Sequence, residues 1–128
     1  MTASDKRIMV IDDAALVRRY YREALEAAGF EVEEALNGLE ALEKLLQAPV
    51  DMLIVDVNMP QMDGLTFIAT LRSQEGPLAA IPALVTSTES SPKDFAAARH
   101  AGANFYLVKP VSRETLAEFA TMFCGIAR

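Results

Sequence analysis

Met52-Leu53-Ile54-Val55-Asp56 is a run of four apolar residues that ends in a carboxylate. Three further apolar runs end in polar or charged residues: 8–11 before Asp12 and Asp13, 83–85 before Thr86, and 106–108 before Lys109. Short apolar runs separated by helical segments are typical of buried strands in a parallel sheet. Ligands of open α/β sheets bind beyond the carboxyl ends of the strands. We therefore expect these carboxylates, the hydroxyl and the ammonium group to converge, as metal-assisted phosphoryl chemistry requires.

The segments between the runs carry helix signals, so that strand and helix alternate five times. The charged segment 31–35 is typical of an exposed edge strand, where charge discourages pairing with other chains. The predicted N-caps of four later helices are Asn37, Asp63, Ser91 and Ser112. The predicted buried stripe of the second helix consists of Leu39, Leu42 and Leu46. Right-handed crossovers between such strands favour a doubly wound α/β sheet with helices on both faces.

Length and composition narrow the class of protein. The 128 residues predict one domain, which we expect to span 1–128 without an output domain. The single cysteine, Cys124, excludes an internal disulfide framework and fits a reducing, cytoplasmic setting. The formal net charge of −6 argues against non-specific binding to nucleic acid. Because no apolar segment approaches the ~20 residues of a membrane span, we expect no insertion into a membrane.

The whole chain resembles the receiver domain of two-component response regulators, the CheY-like fold. The resemblance rests on Asp12-Asp13, on Asp56 followed by Asn58-Met59-Pro60-Gln61-Met62-Asp63-Gly64, on Thr86, and on Tyr106-Leu107-Val108-Lys109-Pro110. Each motif alone is weak evidence for this resemblance, but the order and spacing of all the motifs together are specific to the family. The resemblance implies a flavodoxin-like (βα)5 fold with five parallel strands in the order 2-1-3-4-5. It also raises the possibility of a cis bond before Pro110, which the sequence cannot decide.

The resemblance further implies the roles of the site residues. Asp56 is expected to be the phosphoacceptor, acting as the nucleophile that forms an aspartyl phosphate. The expected ligands of a Mg²⁺ ion are carboxylate oxygens of Asp12 or Asp13 and of Asp56, and the backbone carbonyl of Asn58. Lys109 would neutralise phosphoryl oxygens, and Thr86 would donate its hydroxyl to one of them. Independently, three adjacent carboxylates favour a bound cation because they repel one another when ionised.

The resemblance also implies a signalling switch. Phosphorylation would draw the Thr86 hydroxyl toward the phosphoryl group, and the Tyr106 ring would turn inward. A histidine kinase or histidine phosphotransfer protein is the expected phosphodonor, and a downstream protein would bind the fourth helix, fifth strand and fifth helix. The chain would catalyse only its own phosphotransfer and autodephosphorylation. Chemotaxis-type control and a phosphorelay both fit, as do a monomer and a phosphorylation-dependent dimer. An exposed Phe105, unusual for the family, would add to the partner surface.

Three alternatives stay open on weaker grounds. The chain could be the receiver fragment of a larger regulator or of a hybrid kinase. A phosphatase of the haloacid dehalogenase type also forms an aspartyl phosphate, but it needs a second acid where this chain has Asn58. A flavodoxin-like cofactor binder needs a phosphate-cradling loop after the first strand, where Asp12 and Asp13 would repel a phosphate.

Overall fold

The computed structural model describes residues 6–59 and 62–125. The strands are β1 (Arg7–Ile11), β2 (Glu31–Ala35), β3 (Met52–Asp56), β4 (Ala83–Ser87) and β5 (Phe105–Val108). The helices are α1 (Ala15–Ala27), α2 (Gly38–Gln47), α3 (Gly64–Arg72), α4 (Pro92–Ala101) and α5 (Arg113–Cys124). A 3₁₀ helix, Gly76–Ala80, precedes β4. No helix in these two ranges combines the length and the apolar character needed to cross a membrane.

Within the described ranges, the five strands form one parallel sheet of order β2-β1-β3-β4-β5. The predicted strand order is therefore confirmed, and the charged β2 lies at an edge as expected. The register places Asp56, the last residue of β3, beside Thr86 of β4. The backbone amide of Lys109, just beyond β5, donates to the Ser87 carbonyl at 2.7 Å. Parallel pairing thus brings the predicted site residues to one edge of the sheet.

The sheet separates two hydrophobic cores, one under each layer of helices. Side chains alternate between the two faces of a strand, so Ile54 packs with α1 and α5, whereas Val55 packs with α2 and α3. Every residue of β3 is buried, as a central strand covered on both sides requires. Helices on both faces confirm the doubly wound architecture.

All four predicted N-caps form hydrogen bonds to the first turn of their helices. The caps are Asn37 for α2, Asp63 for α3, Ser91 for α4 and Ser112 for α5. Each side-chain oxygen accepts from a backbone amide that has no partner within its helix, which contributes typically ~1 kcal/mol. Gly102 ends α4 with φ of 111°, a conformation that favours glycine. Local sequence chemistry therefore places the helix ends without reference to the core.

The predicted stripe of α2 is correct at Leu42, which is half-buried and packs on the core, but it is wrong at the other two positions. Leu39 and Leu46 are 46% and 72% exposed, whereas Ala41 and Leu45 are buried. Both sets have helical spacing, so periodicity alone could not separate them. The small side chain of Ala41 lets the helix lie close to the sheet, and Gly38 packs closely on α3, where a Cβ atom would lie 3.0 Å from Phe67 Cβ. Close packing of small residues thus decides which face of α2 is buried.

We predict that Gly64→Ala strongly destabilises the protein. A Cβ atom at Gly64 would lie 2.2 Å from the backbone oxygen of Asp56, which cannot move without distorting the end of β3. We expect the free energy of unfolding to fall by about 3 kcal/mol in urea denaturation. Gly38→Ala is the matched control, since it also begins a helix but would meet only Met62 and Phe67 side chains at 3.0 Å. An equal loss in both variants would contradict this explanation.

Candidate functional site

Three carboxylates converge beyond the carboxyl ends of β1 and β3. Asp12 and Asp13 directly follow β1, and Asp56 ends β3. One carboxylate oxygen from each lies within 4.8 Å of the other two. Asp12 and Asp56 are 1% and 5% exposed, whereas Asp13 is open to solvent. The structure therefore brings together the acidic residues that the sequence placed at strand ends.

Lys109 joins the two buried carboxylates. Its Nζ atom lies 3.0 Å from Asp12 Oδ2 and 3.0 Å from Asp56 Oδ1. The other oxygen of Asp12 accepts from the Ala14 amide at 2.9 Å, which fixes the carboxylate at the start of α1. The Lys109-Pro110 peptide bond is cis. One ammonium group thus links the ends of β1, β3 and β5.

The electrostatics of the site favour an additional cation. Burial raises the pKa of Asp56, and the Asp12 and Asp13 carboxylates add to the rise, whereas Lys109 opposes it. Burial alone would lower the pKa of Lys109, but hydrogen bonds to Asp56 and Asp12 outweigh burial and raise it. One ammonium cannot balance three carboxylates. The hard oxygen ligands and their excess charge fit a divalent ion such as Mg²⁺.

Thr86 supplies an unsatisfied hydroxyl beside the carboxylates. The residue is completely buried, and its Oγ1 atom has no hydrogen-bond partner among the described residues. Most buried polar groups in native proteins have a partner, so an orphaned hydroxyl needs an explanation. Thr86 lies beside Asp56 in the sheet register. A ligand group bound at Asp56 could satisfy this hydroxyl.

Tyr106 lies on β5 and is linked to the loop that follows Thr86. Its hydroxyl donates to the Glu89 carbonyl at 3.0 Å. Its ring packs edge-on against Phe95 of α4, with ring centroids 4.7 Å apart. Tyr106 is therefore near the predicted switch loop but is not part of the acidic cluster. Its role in a switch stays a prediction.

Asn58 is the last of the predicted site residues, and two further residues, Gly64 and Tyr21, also border the site. Asn58 is exposed in the loop after β3, and its part as a carbonyl ligand stays a prediction. Pro60 and Gln61 of the same motif lie outside the described residues. Sequence reasoning quoted Gly64 within a motif but missed its role, since its lack of a side chain lets α3 approach the Asp56 backbone. It also missed Tyr21, which lines a cavity of about 450 Å³ together with Lys109.

We predict that Asp56→Asn stabilises the metal-free protein at pH 7. Because the folded-state pKa of Asp56 is raised, its contribution to stability is present at low pH and is lost as pH rises through that pKa. The variant and the native chain should be equally stable below about pH 4, and the variant should be more stable above the raised pKa. Urea denaturation with a chelator, from acid to neutral pH, measures the difference.

Glu43→Gln provides a control for the loss of one negative charge, since Glu43 is exposed on α2. Because an exposed charge contributes little to stability, its free energy of unfolding should stay close to that of the native chain at neutral pH. If Asp56→Asn instead destabilises the protein at neutral pH, the hydrogen bond to Lys109 outweighs burial of the carboxylate.

Comparisons with known proteins agree with this geometry. Residues 8–121 match the family described as Response regulator receiver domain. The transcriptional regulatory protein PrrA of Mycobacterium leprae is 37% identical over 107 residues, which cover 84% of this chain and 45% of PrrA. The chain thus spans less than half of that curated relative.

Solved structures show the same similarity. Chemotaxis protein CheY4 of Vibrio cholerae is 36% identical, with a TM-score of 0.86 over 92% of this chain and 98% of CheY4. The signal receiver domain of a signal transduction histidine kinase from Syntrophus aciditrophicus is 28% identical, with a TM-score of 0.86 over 93% of this chain and 89% of that chain. With its acidic cluster and strand order, this chain belongs to the response regulator receiver domain family.

Proposed function

We propose that this chain is a phosphorylation-activated signalling switch whose phosphoacceptor is Asp56. The observation that carries the proposal is the position of the Asp56 carboxylate. It is buried, it contacts the Lys109 ammonium at 3.0 Å, and it lies beside the unpartnered Thr86 hydroxyl. An aspartate with a purely structural role needs neither the Asp12-Asp13 pair beside it nor a neighbouring hydroxyl without a partner. A phosphoryl group would use both, since the acidic pair would hold the cation that offsets its charge and the hydroxyl would donate to one of its three acceptor oxygens.

The chemistry follows from these positions. Asp12, Asp13 and Asp56, with the Asn58 carbonyl, would hold the metal. Bound Mg²⁺ would stabilise the charge on the phosphoryl oxygens and reduce repulsion between the donor and the acidic cluster. Asp56 attacks phosphorus as the bond to the donor's imidazole nitrogen breaks, and the released nitrogen takes up a proton. Lys109 holds Asp56 in place and neutralises a phosphoryl oxygen.

The chain would catalyse its own phosphotransfer and its own dephosphorylation, without turnover of a separate substrate. A histidine kinase or a histidine phosphotransfer protein is the proposed donor, which the receiver family supports. Hydrolysis returns the carboxylate when water attacks phosphorus and the bond to Asp56 breaks. Thr88 lines the cavity beside Lys109, and Asn58 is exposed two residues after Asp56, which supports the proposal that both affect access of that water.

The proposed output surface is formed by α4, β5 and α5. If Thr86 turns toward a phosphoryl oxygen, the loop after β4 shifts, and the bond from Tyr106 to the Glu89 carbonyl is the contact it would break. Phe105 is 45% exposed and packs against Phe119, with centroids 4.5 Å apart. A cavity of about 310 Å³ borders the same strand. A downstream protein binding here would sense the loop through Tyr106.

The pathway and the form of the whole protein are open to two proposals. Similarity to CheY4 over 98% of that chain supports a cytoplasmic, stand-alone receiver with chemotaxis-type or phosphorelay output, as a monomer or a phosphorylation-dependent dimer. Similarity to PrrA over only 45% of that protein supports a receiver segment of a larger transcription regulator. An immunoblot of the source cells distinguishes the two by the size of the native protein.

We predict that acetyl phosphate and Mg²⁺ add one phosphoryl group to the native chain. Asp56→Asn and a chelator should each abolish the adduct, because the first removes the nucleophile and the second the metal. Intact mass spectrometry measures the result. Absence of an adduct, together with no binding of beryllium fluoride, would show that the acidic cluster is structural.

We also predict that Phe105→Ala weakens binding of the downstream partner without affecting phosphorylation. Exposed aromatic side chains are common binding hot spots, so we expect about a tenfold loss of affinity. The partner is one recovered with the beryllium fluoride-loaded chain and titrated against both proteins. Leu46→Ala, which removes a 72% exposed leucine from the distant α2, is the control. Unchanged affinity for Phe105→Ala would exclude the aromatic surface.

A further inference from the structure

Arg18 of α1 lies beside the acidic cluster, and its guanidinium group makes hydrogen bonds in two directions. Its Nη1 atom donates to the backbone carbonyl of Asp12 at 2.7 Å, and its Nε atom donates to Glu34 Oε1 at 2.9 Å. The Arg18 side chain is only 13% exposed, so both contacts are largely shielded from solvent. Arg18 therefore connects a carboxylate of the edge strand β2 with the backbone of a predicted metal ligand.

Glu34 fixes the orientation of the Arg18 guanidinium. Its second carboxylate oxygen, Oε2, accepts from Arg22 Nε at 2.6 Å, so that one carboxylate lies between two arginines of α1. Burial alone would raise the pKa of Glu34, but the hydrogen bonds from Arg22 and Arg18 outweigh burial and lower it. Glu34 is therefore ionised at neutral pH. A planar guanidinium held on one side by a carboxylate directs its other N–H groups to a fixed point.

The carbonyl that Arg18 holds belongs to the peptide group between Asp12 and Asp13. A peptide group is planar, so the direction of the Asp12 carbonyl sets the position of the Asp13 Cα atom. The carboxylate of Asp12 has its own bond to Lys109. Asp13, in contrast, is exposed, and no residue within 6–59 or 62–125 forms a hydrogen bond or ion pair with its carboxylate. The placement of Asp13 in the cluster thus depends on its backbone.

We propose that Arg18 is a positioning residue for the metal ligands Asp12 and Asp13, and that it acts through the Asp12 carbonyl. This role rests on the proposed function, in which the two carboxylates hold Mg²⁺. Loss of a partner that orients a metal ligand typically lowers metal affinity ~10–100-fold. The positive charge of Arg18 has the opposite effect, because it repels a divalent cation. Positioning and charge therefore predict opposite results when the guanidinium is removed.

The first test is the affinity of the native chain and its variants for Mg²⁺, measured by isothermal titration calorimetry. Arg18→Gln should bind Mg²⁺ about tenfold more weakly than the native chain, although a repelling charge has been lost. Arg18→Lys should also bind more weakly, because an ammonium keeps the charge but lacks the planar fork that reaches both Glu34 and Asp12. A role of charge alone predicts tighter binding for Arg18→Gln and no change for Arg18→Lys.

Arg22→Gln is the matched control. Arg22 carries the same charge one turn further along α1 and bonds the same carboxylate, but its hydrogen bonds go to Glu34 and Glu26 and not to the Asp12 carbonyl. Its affinity for Mg²⁺ should equal or exceed that of the native chain, since only a repelling charge is removed. Thermal unfolding verifies that each variant is folded at the temperature of the titration.

A second measurement needs neither a metal nor a phosphoryl group. In the metal-free native chain, the Asp13 amide should have an NMR order parameter of about 0.85, which is typical of rigid backbone. In Arg18→Gln this value should fall toward about 0.6, because the Asp12-Asp13 peptide group has lost its partner. The amide of Met9, in the centre of β1, is the internal control and should stay rigid in both chains.

The outcomes distinguish the role of Arg18 from the proposed function. Equal or tighter Mg²⁺ binding by Arg18→Gln overturns the role, as does an equal loss in Arg22→Gln, which would indicate a general disturbance of α1. If the native chain binds Mg²⁺ but forms no adduct with acetyl phosphate, the proposed function fails and the Mg²⁺ affinities still decide the role of Arg18. If the native chain binds no Mg²⁺, the order parameter decides, and an unchanged value at Asp13 in Arg18→Gln overturns the role.

Discussion

The Lys109 ammonium shared by Asp12 and Asp56, 3.0 Å from each, is the contact on which the site depends. These carboxylates come from neighbouring strands and would repel one another without it. Loss of the Lys109 ammonium would leave two buried carboxylates without compensation, and an uncompensated buried charge typically costs ~3–5 kcal/mol. Lys109 lies just beyond β5, two strands away from β3 in the sheet. Its side chain therefore ties three strands together at the edge where ligands bind.

A single loop connects this charged edge with the aromatic contact between Tyr106 and Phe95. Thr86 faces the carboxylates, and three residues later the Glu89 carbonyl accepts the Tyr106 hydroxyl. The Tyr106 ring in turn packs on Phe95 of α4. In the proposed switch, a movement at Thr86 would be transmitted through these backbone and ring contacts. Because packed elements have discrete arrangements, such a chain of contacts suits a two-state response.

Most of the fold could be predicted from local patterns. Apolar runs and capping residues such as Asn37 and Asp63 act over a few residues, so the sequence alone indicates where strands and helices lie. The buried face of α2 could not be predicted this way. Leu39 and Leu46 are more hydrophobic than Ala41, yet both leucines are exposed and the smaller Ala41 is buried. Shape complementarity between distant elements decided that choice, and periodicity carries no information about shape.

The sequence by itself determined the chemical content of the site: three acids, a threonine and a lysine, each placed at the end of an apolar run. Parallel strands end at a common edge, so their convergence followed from the fold class. Only the tertiary structure decided which acids share Lys109 and that Thr86 has no partner among the described residues. These features depend on distances between side chains from different elements. Such distances arise from packing, which no local pattern of residues specifies.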